Sequence, residues 1–125
     1  MTRWRPRTLL LARMSLAVGI AVVLWLAMPP GRAFDAQAWR SREAAWDDNA
    51  ARMADRLVAQ STLTGMTRSE VVRMLGTPPE TGYFKDWDLV YWLGPERGMF
   101  ALDSEWLVVR FDGRQRVIDY RIVRD

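Results

Sequence analysis

Residues 62–79 contain the signals for both ends of one short helix. Thr67 is a good N-cap, since its hydroxyl can accept a hydrogen bond from a first-turn amide, and Glu70 completes a capping box. Gly76 suits the conformation that follows a helix C-terminus, and the two prolines after Thr77 prevent continuation. A helix of little more than two turns is marginal alone. It must therefore pack on elements supplied by the rest of the chain.

Three segments after this helix predict strands, because they are rich in aromatic and β-branched residues. They span residues 83–93, 102–111 and 117–123. A tight-turn signal at residues 112–115 joins the last two, and a longer loop at residues 94–98 joins the first two. We therefore expect a three-stranded antiparallel meander. Alternation assigns these residues to its core face: Trp87, Leu89, Tyr91 and Leu93, then Leu107, Val109 and Phe111, then Ile118, Tyr120 and Ile122.

The alanine-rich residues 35–60 predict a helix ahead of the short one, since they lack Gly and Pro and place apolar residues at helical spacing. The first part of this segment has only Trp39 and Trp46 on its apolar face. Residues 31–48 are therefore expected to form a helical stalk or linker. The second part is expected to pack on the sheet as the first helix of a domain spanning residues 49–125.

The short helix carries a motif in which Gly, Met and Thr precede it, Val and Leu face inward, and Gly and Pro end it. Its residues are Gly65, Met66, Thr67, Val71, Leu75, Gly76 and Pro78. Together with the strands, the motif resembles the BamE/SmpA/OmlA family of small envelope proteins over roughly residues 48–125. The resemblance implies an α+β fold, with two helices packed on the three-stranded antiparallel β-meander. It also implies a non-catalytic protein-interaction or scaffold role.

Members of this family that act in outer-membrane assembly are lipoproteins attached through a cysteine, and this chain contains no cysteine. The resemblance is therefore to a non-lipoprotein, membrane-anchored variant, linked to envelope or outer-membrane protein assembly. The expected partner is another envelope protein or a second copy of the chain.

The N-terminal segment indicates export. Four arginines lie at or before residue 13, and no acidic residue precedes Asp35. Residues 9–28, as a helix, are long enough for about 30 Å of hydrocarbon. The arginines predict that residues 1–8 stay in the cytoplasm. We therefore expect a transmembrane helix within residues 9–30, in the cytoplasmic (inner) membrane, and a periplasmic C-terminal domain.

A cleaved signal peptide is the alternative for the same segment. The basic start and apolar run are followed by two prolines and by Gly31-Arg32-Ala33, which has the small-x-small pattern of a cleavage site. Cleavage near Ala33 would give a mature chain that begins at Phe34. Both interpretations export the domain.

Composition excludes several classes of site. With neither histidine nor cysteine, the chain cannot form Ser-His or Cys-His catalytic pairs or cysteine-ligated zinc. Four of the 18 basic residues precede residue 14. Residues 32–125 contain the other 14 basic residues and all 15 acidic residues, so the net charge of this part is −1. The domain thus lacks the positive charge that nucleic-acid binding needs. We predict no enzyme activity, cofactor or nucleic-acid partner.

Two pairs of carboxylates have the i, i+2 spacing that places both members on one face of a strand. They are Asp86 with Asp88 and Asp103 with Glu105. A solvated strand face is one interpretation, and we predict no metal site. The alternative function is a ligand- or metal-binding, or inhibitor-like, exported domain that uses this acidic strand face.

An apolar patch is the leading candidate for function. If the core-face assignment holds, Val90, Trp92, Trp106 and Val108 gather on the opposite face of the sheet. Either the long helix or the loop at residues 94–100 covers this patch, or the patch is a protein-interaction site anchored by tryptophan. Its expected polar rim consists of Asp86, Asp88, Arg110, Asp119 and Arg121.

Overall fold

The computed structural model describes residues 6–41, 48–98, 100 and 102–125. The helices in these residues are α1 (Pro6–Ala27), α2 (Ala36–Arg40), α3 (Asn49–Ala59) and α4 (Arg68–Leu75). The strands are β1 (Leu89–Pro95), β2 (Ser104–Phe111) and β3 (Val117–Arg124). They pair in the order β1-β2-β3, each antiparallel to its neighbour. The α+β class and the predicted meander are confirmed.

The predicted transmembrane helix at residues 9–28 is not supported. Helix α1 forms over most of these residues. Within the part of the chain that the structure describes, however, no helix combines the length and the apolar character needed to cross a membrane.

Helix α4 has both of the predicted ends. The Thr67 hydroxyl accepts a hydrogen bond from the Glu70 amide over 3.2 Å, and Gly76 has a φ of 82°. Two side chains from elsewhere bind the carbonyls at the helix C-terminus. The Trp39 indole donates to Leu75 O over 2.9 Å, and the Tyr91 hydroxyl donates to Gly76 O over 2.8 Å. Groups that a helix end leaves unpaired are thus satisfied by α2 and β1.

Helix α2 lies within the residues of the predicted helical stalk or linker, and its Trp39 belongs to the core cluster. Trp39 is buried between α3, α4 and β1, with its ring 6.0 Å from that of Tyr91. The predicted single helix over residues 35–60 is wrong, since α2 ends at Arg40, Ser41 and Asp48 are not helical, and α3 begins at Asn49. Trp46, the other tryptophan of the predicted stalk, lies outside the described residues.

The segment between α1 and α2 packs on α3. The guanidinium of Arg56 donates to Pro29 O over 3.4 Å and to Gly31 O over 3.2 Å, and the Arg32 amide donates to Arg52 O over 2.9 Å. At Gly31, where φ is 82°, a Cβ would lie 2.1 Å from Arg52 O. Only glycine allows this close approach of two backbones.

Helices α2, α3 and α4 pack on one face of the sheet, and most of the predicted core face is confirmed. Leu89, Tyr91, Leu93, Leu107, Val109 and Phe111 belong to the core cluster, and Tyr120 and Ile122 pack against it. The core cluster also contains residues of α2, α3 and α4.

Ile118 is a wrong assignment, and the cause is an irregularity in the β2–β3 pairing. Arg110 pairs with Asp119, but the next pair is Phe111 with Val117, which leaves Ile118 as an extra residue. A bulge of this kind reverses the alternation beyond it. Val117 is therefore buried, and the Ile118 side chain is 60% exposed.

Candidate protein-interaction site

The outer face of the sheet, opposite the helices, brings together the four predicted interaction residues. Val90 pairs with Val108 across β1 and β2, and Trp92 pairs with Trp106. Directly opposed residues have neighbouring side chains. Val90, Trp106 and Val108 form a second buried cluster, and Trp92 packs against it. Their shared face is confirmed, and their binding of a partner stays a prediction.

Within the part of the chain that the structure describes, the cover over this cluster comes from the residues just before β1, and neither the predicted long helix nor the loop at residues 94–100 contributes to it. The Tyr83 ring lies 5.2 Å from the Trp106 ring, and the Phe84 ring lies edge-on to it at 6.1 Å. Trp87 also packs on this outer cluster. Phe100, in the loop expected to cover the patch, is 78% exposed.

This covering segment is where the strand prediction failed. The predicted strand at residues 83–93 begins only at Leu89. Phe84 has a φ of 51°, a left-handed value that a strand does not contain, and the Trp87 amide donates to Phe84 O over 3.0 Å. The chain therefore turns back over the sheet. As a result, Trp87 lies on the outer face instead of the predicted core face.

An open groove lies between the covering segment and the outer face of the sheet. Its larger cavity, of about 410 Å³, is lined by residues 77–81, 83–85 and 87–90. A smaller cavity, of about 270 Å³, is lined by residues 79–81, Val90 and the two tryptophans of β1 and β2. We call these two cavities together the outer groove. They share Pro79, Glu80, Thr81 and Val90.

The predicted polar rim is only partly available for binding. Asp88 accepts a hydrogen bond from the Phe111 amide over 2.7 Å and lies 3.7 Å from the Arg68 guanidinium. The guanidinium groups of Arg110 and Arg121 lie 4.3 Å and 5.4 Å from the centre of the Trp87 ring. The remaining rim residues make local contacts. The Asp86 carbonyl accepts from Arg110, and the Asp119 carboxylate binds Arg121.

Glu105 is buried on β2, where arginines neutralise its carboxylate. The Arg97 guanidinium donates to Glu105 Oε2 over 2.7 Å and to Asp55 Oδ1 of α3 over 3.1 Å. Arg124 also lies 3.5 Å from Glu105 Oε1. Burial alone would raise the Glu105 pKa, but the hydrogen bonds and charge of Arg97 outweigh it, and the pKa is lowered. The same contacts raise the Arg97 pKa. This network ties the β1–β2 loop to α3.

The predicted acidic strand face does not exist as a site. Asp86 and Asp88 precede β1, and Asp103 lies outside β2, so neither pair shares a strand. Glu105 is enclosed by arginines. Among the described residues there is also no group of three or more acidic side chains that could hold a metal ion.

The residues that give the groove its exposed chemistry were not among the predicted interaction residues. They are Glu80, Tyr83 and Lys85. Tyr83 is 53% exposed although its ring contacts Trp106. The signal that could have found them is Thr81-Gly82, a turn-forming pair just before the misassigned strand. The Thr81 hydroxyl accepts from the Tyr83 amide over 3.2 Å, the local bond expected of such a turn.

Comparison with known proteins identifies a family for most of the domain. The model of the outer membrane protein assembly factor BamE domain matches residues 55–120. The match contains α4, β1, β2 and every residue of the outer groove. No curated protein and no solved structure matches the chain.

Proposed function

The chain belongs to the family of the outer membrane protein assembly factor BamE domain, and from this premise we propose that it is a non-catalytic interaction protein of the cell envelope. Its domain binds another envelope protein during outer-membrane protein assembly. The binding surface is the outer groove.

The observation that carries the proposal is the incomplete cover over the outer face. Val108 is fully buried, but Trp92 is only half-buried and Tyr83 is 53% exposed. Aromatic side chains that are partly buried in the protein and partly exposed are typical of binding hot spots. They bury a large area on binding and lose little conformational freedom. The groove beside them is concave and open, as a docking site requires.

A catalytic role has little support in the chemistry of the domain. The most buried carboxylate among the described residues, Glu105, is held ionised by two arginines. Its lowered pKa removes it as a general acid near neutral pH. With no histidine or cysteine in the chain, the common nucleophile and base pairs are absent.

Photo-crosslinking in cells tests the proposal. A photoreactive phenylalanine analogue in place of Tyr83 should capture an envelope protein on irradiation. The matched control is the same analogue in place of Ile118, which is 60% exposed and does not line the groove. A product with twice the mass of the chain would identify self-association. Equal capture at both positions would contradict the proposed surface.

A further inference from the structure

We propose that the outer groove binds an extended peptide segment that carries an arginine, with the guanidinium beside Glu80 and an acidic residue of the same segment toward Lys85. The inference rests on the proposed function and adds the chemistry of the partner. Its supporting observations are two unpaired charges, the aromatic lining and the arrangement of the two cavities.

The first observation is that the groove holds two opposite charges without partners. Glu80 is exposed, lines both cavities, and makes no hydrogen bond or ion pair with any residue that the structure describes. Lys85, the single lysine of the chain, lines the larger cavity and is likewise unpaired within the described residues. The two charges do not neutralise each other. A peptide with a cation and an anion at matching positions would complement both.

The second observation concerns the lining beside Glu80. In the smaller cavity the carboxylate shares the walls with Trp92, Trp106 and Pro79. A planar guanidinium can stack on an aromatic ring while donating two hydrogen bonds to a carboxylate, and a lysine ammonium cannot do both. This composition therefore favours arginine over lysine.

The fold already uses the same chemistry internally. The Arg110 guanidinium lies 4.3 Å from the centre of the Trp87 ring, and the Arg68 guanidinium lies 4.5 Å from that of Phe111. Both rings belong to residues on or next to the sheet. Stacking of guanidinium on this protein's aromatic side chains is thus an observed contact type, which an incoming arginine would repeat.

The arrangement of the cavities favours an extended segment. They adjoin along Pro79, Glu80 and Thr81 and both reach Val90. In an extended chain, residues i and i+2 point to the same side and are roughly 7 Å apart. One side chain of such a segment can therefore enter the smaller cavity while the next on that side enters the larger one. The smaller cavity would take the arginine, and the larger one would take the acidic residue near Lys85.

Calorimetric titration of the full chain tests this inference. The probe is a synthetic hexapeptide that contains an arginine and, two residues later, a glutamate. The control peptide has citrulline, which is neutral and nearly the same shape, in place of the arginine. We expect the wild-type chain to bind the arginine peptide about tenfold more tightly, the effect of a hydrogen bond to a charged group.

Variants assign the effect to one side chain. Glu80→Gln should weaken binding of the arginine peptide about tenfold and abolish the preference over citrulline. Glu70→Gln removes the same charge at an exposed position outside the groove, where Gln still suits the capping box, and should keep the preference. A further control peptide has glutamine in place of the glutamate. Lys85→Gln should reduce the difference in affinity between these two peptides.

The inference is overturned if wild-type protein binds neither peptide, binds both equally, or keeps its preference after Glu80→Gln. These outcomes are distinct from failure of the proposed function. Capture of an envelope protein at Tyr83 without a preference for arginine leaves the function standing and refutes the peptide chemistry. A preference for arginine without capture at Tyr83 supports the peptide chemistry and refutes the proposed function.

Discussion

The Trp39 indole nitrogen donates a hydrogen bond to the carbonyl oxygen of Leu75 over 2.9 Å, joining two residues 36 positions apart. This bond satisfies a carbonyl group at the C-terminus of α4 and also attaches α2 to the domain. Both consequences follow from a single buried side chain, so its contribution to stability can be measured directly.

Trp39→Phe should therefore lower the free energy of unfolding by roughly 2–3 kcal/mol, because it removes the N–H donor and part of a buried ring. Urea denaturation followed by circular dichroism measures this change. Trp25→Phe is the matched control, since Trp25 is 72% exposed on α1 and its replacement should change stability by less than about 0.5 kcal/mol. Similar effects of the two substitutions would refute the role assigned to Trp39.

Arg97→Met should lower the free energy of unfolding by about 3 kcal/mol, because among the described residues it leaves the buried Glu105 carboxylate with Arg124 as its single ion-pair partner. The double variant Arg97→Met with Glu105→Leu should recover much of this loss, since a buried charge without its partner costs more than an apolar pair. Denaturant titration of both variants measures the difference. Equal instability of the single and double variants would contradict this account.

Stability should also fall in acid because of Glu105. Its pKa in the folded state is below the ordinary value of 4.5, so its stabilising contribution is complete above about that pH and is lost as the pH falls through the folded pKa. Asp112 acts in the same direction, since the backbone amide of Arg116 lowers its pKa. Thermal melts between about pH 6 and pH 3 should therefore show a smaller decrease for Glu105→Gln than for wild type. Identical profiles would remove Glu105 as a cause.

Gly31→Ala should be more harmful than Gly65→Ala. Both glycines have positive φ, which costs an L-residue about 1 kcal/mol. A Cβ at Gly65 meets nothing within 4 Å, whereas at Gly31 it lies 2.1 Å from the carbonyl oxygen of Arg52. We expect a loss of about 1 kcal/mol at Gly65 and roughly 2–4 kcal/mol at Gly31. Denaturant titration compares them, and equal losses would show that the segment before α2 does not pack on α3.

Export of the domain is tested with alkaline phosphatase joined after Asp125. The basic and apolar N-terminus and the envelope family both lead us to expect an active fusion, because this enzyme folds only outside the cytoplasm. The control fusion lacks residues 1–28 and should be inactive. An inactive full-length fusion would place the domain in the cytoplasm and would falsify the envelope role.

Features that depend on a few neighbouring residues were predictable from the sequence. The N-cap at Thr67 and the positive φ at Gly76 follow from local hydrogen bonding and backbone sterics. The common face of Val90, Trp92, Trp106 and Val108 follows from strand alternation, which needs only the correct period.

Features that depend on distant contacts were not predictable in the same way. The covering segment at Tyr83 and Phe84 has the composition of a strand, and only packing against Trp106 explains why it turns back. Ile118 fits the alternation of β3, and only the register against β2 shows the extra residue. The Arg97 network joins a loop, a helix and a strand that no sequence period relates.

The two side-chain bonds at the end of α4 also set an order in which the domain can fold. A helix of five residues is not stable by itself. Helix α2 therefore becomes stable only when Trp39 can bind the Leu75 carbonyl and pack on the Tyr91 ring. Both residues are synthesised after α2. Of the helices that pack on the sheet, the first to leave the ribosome is therefore one of the last to become stable, and the Trp39 ring is buried only at that late step.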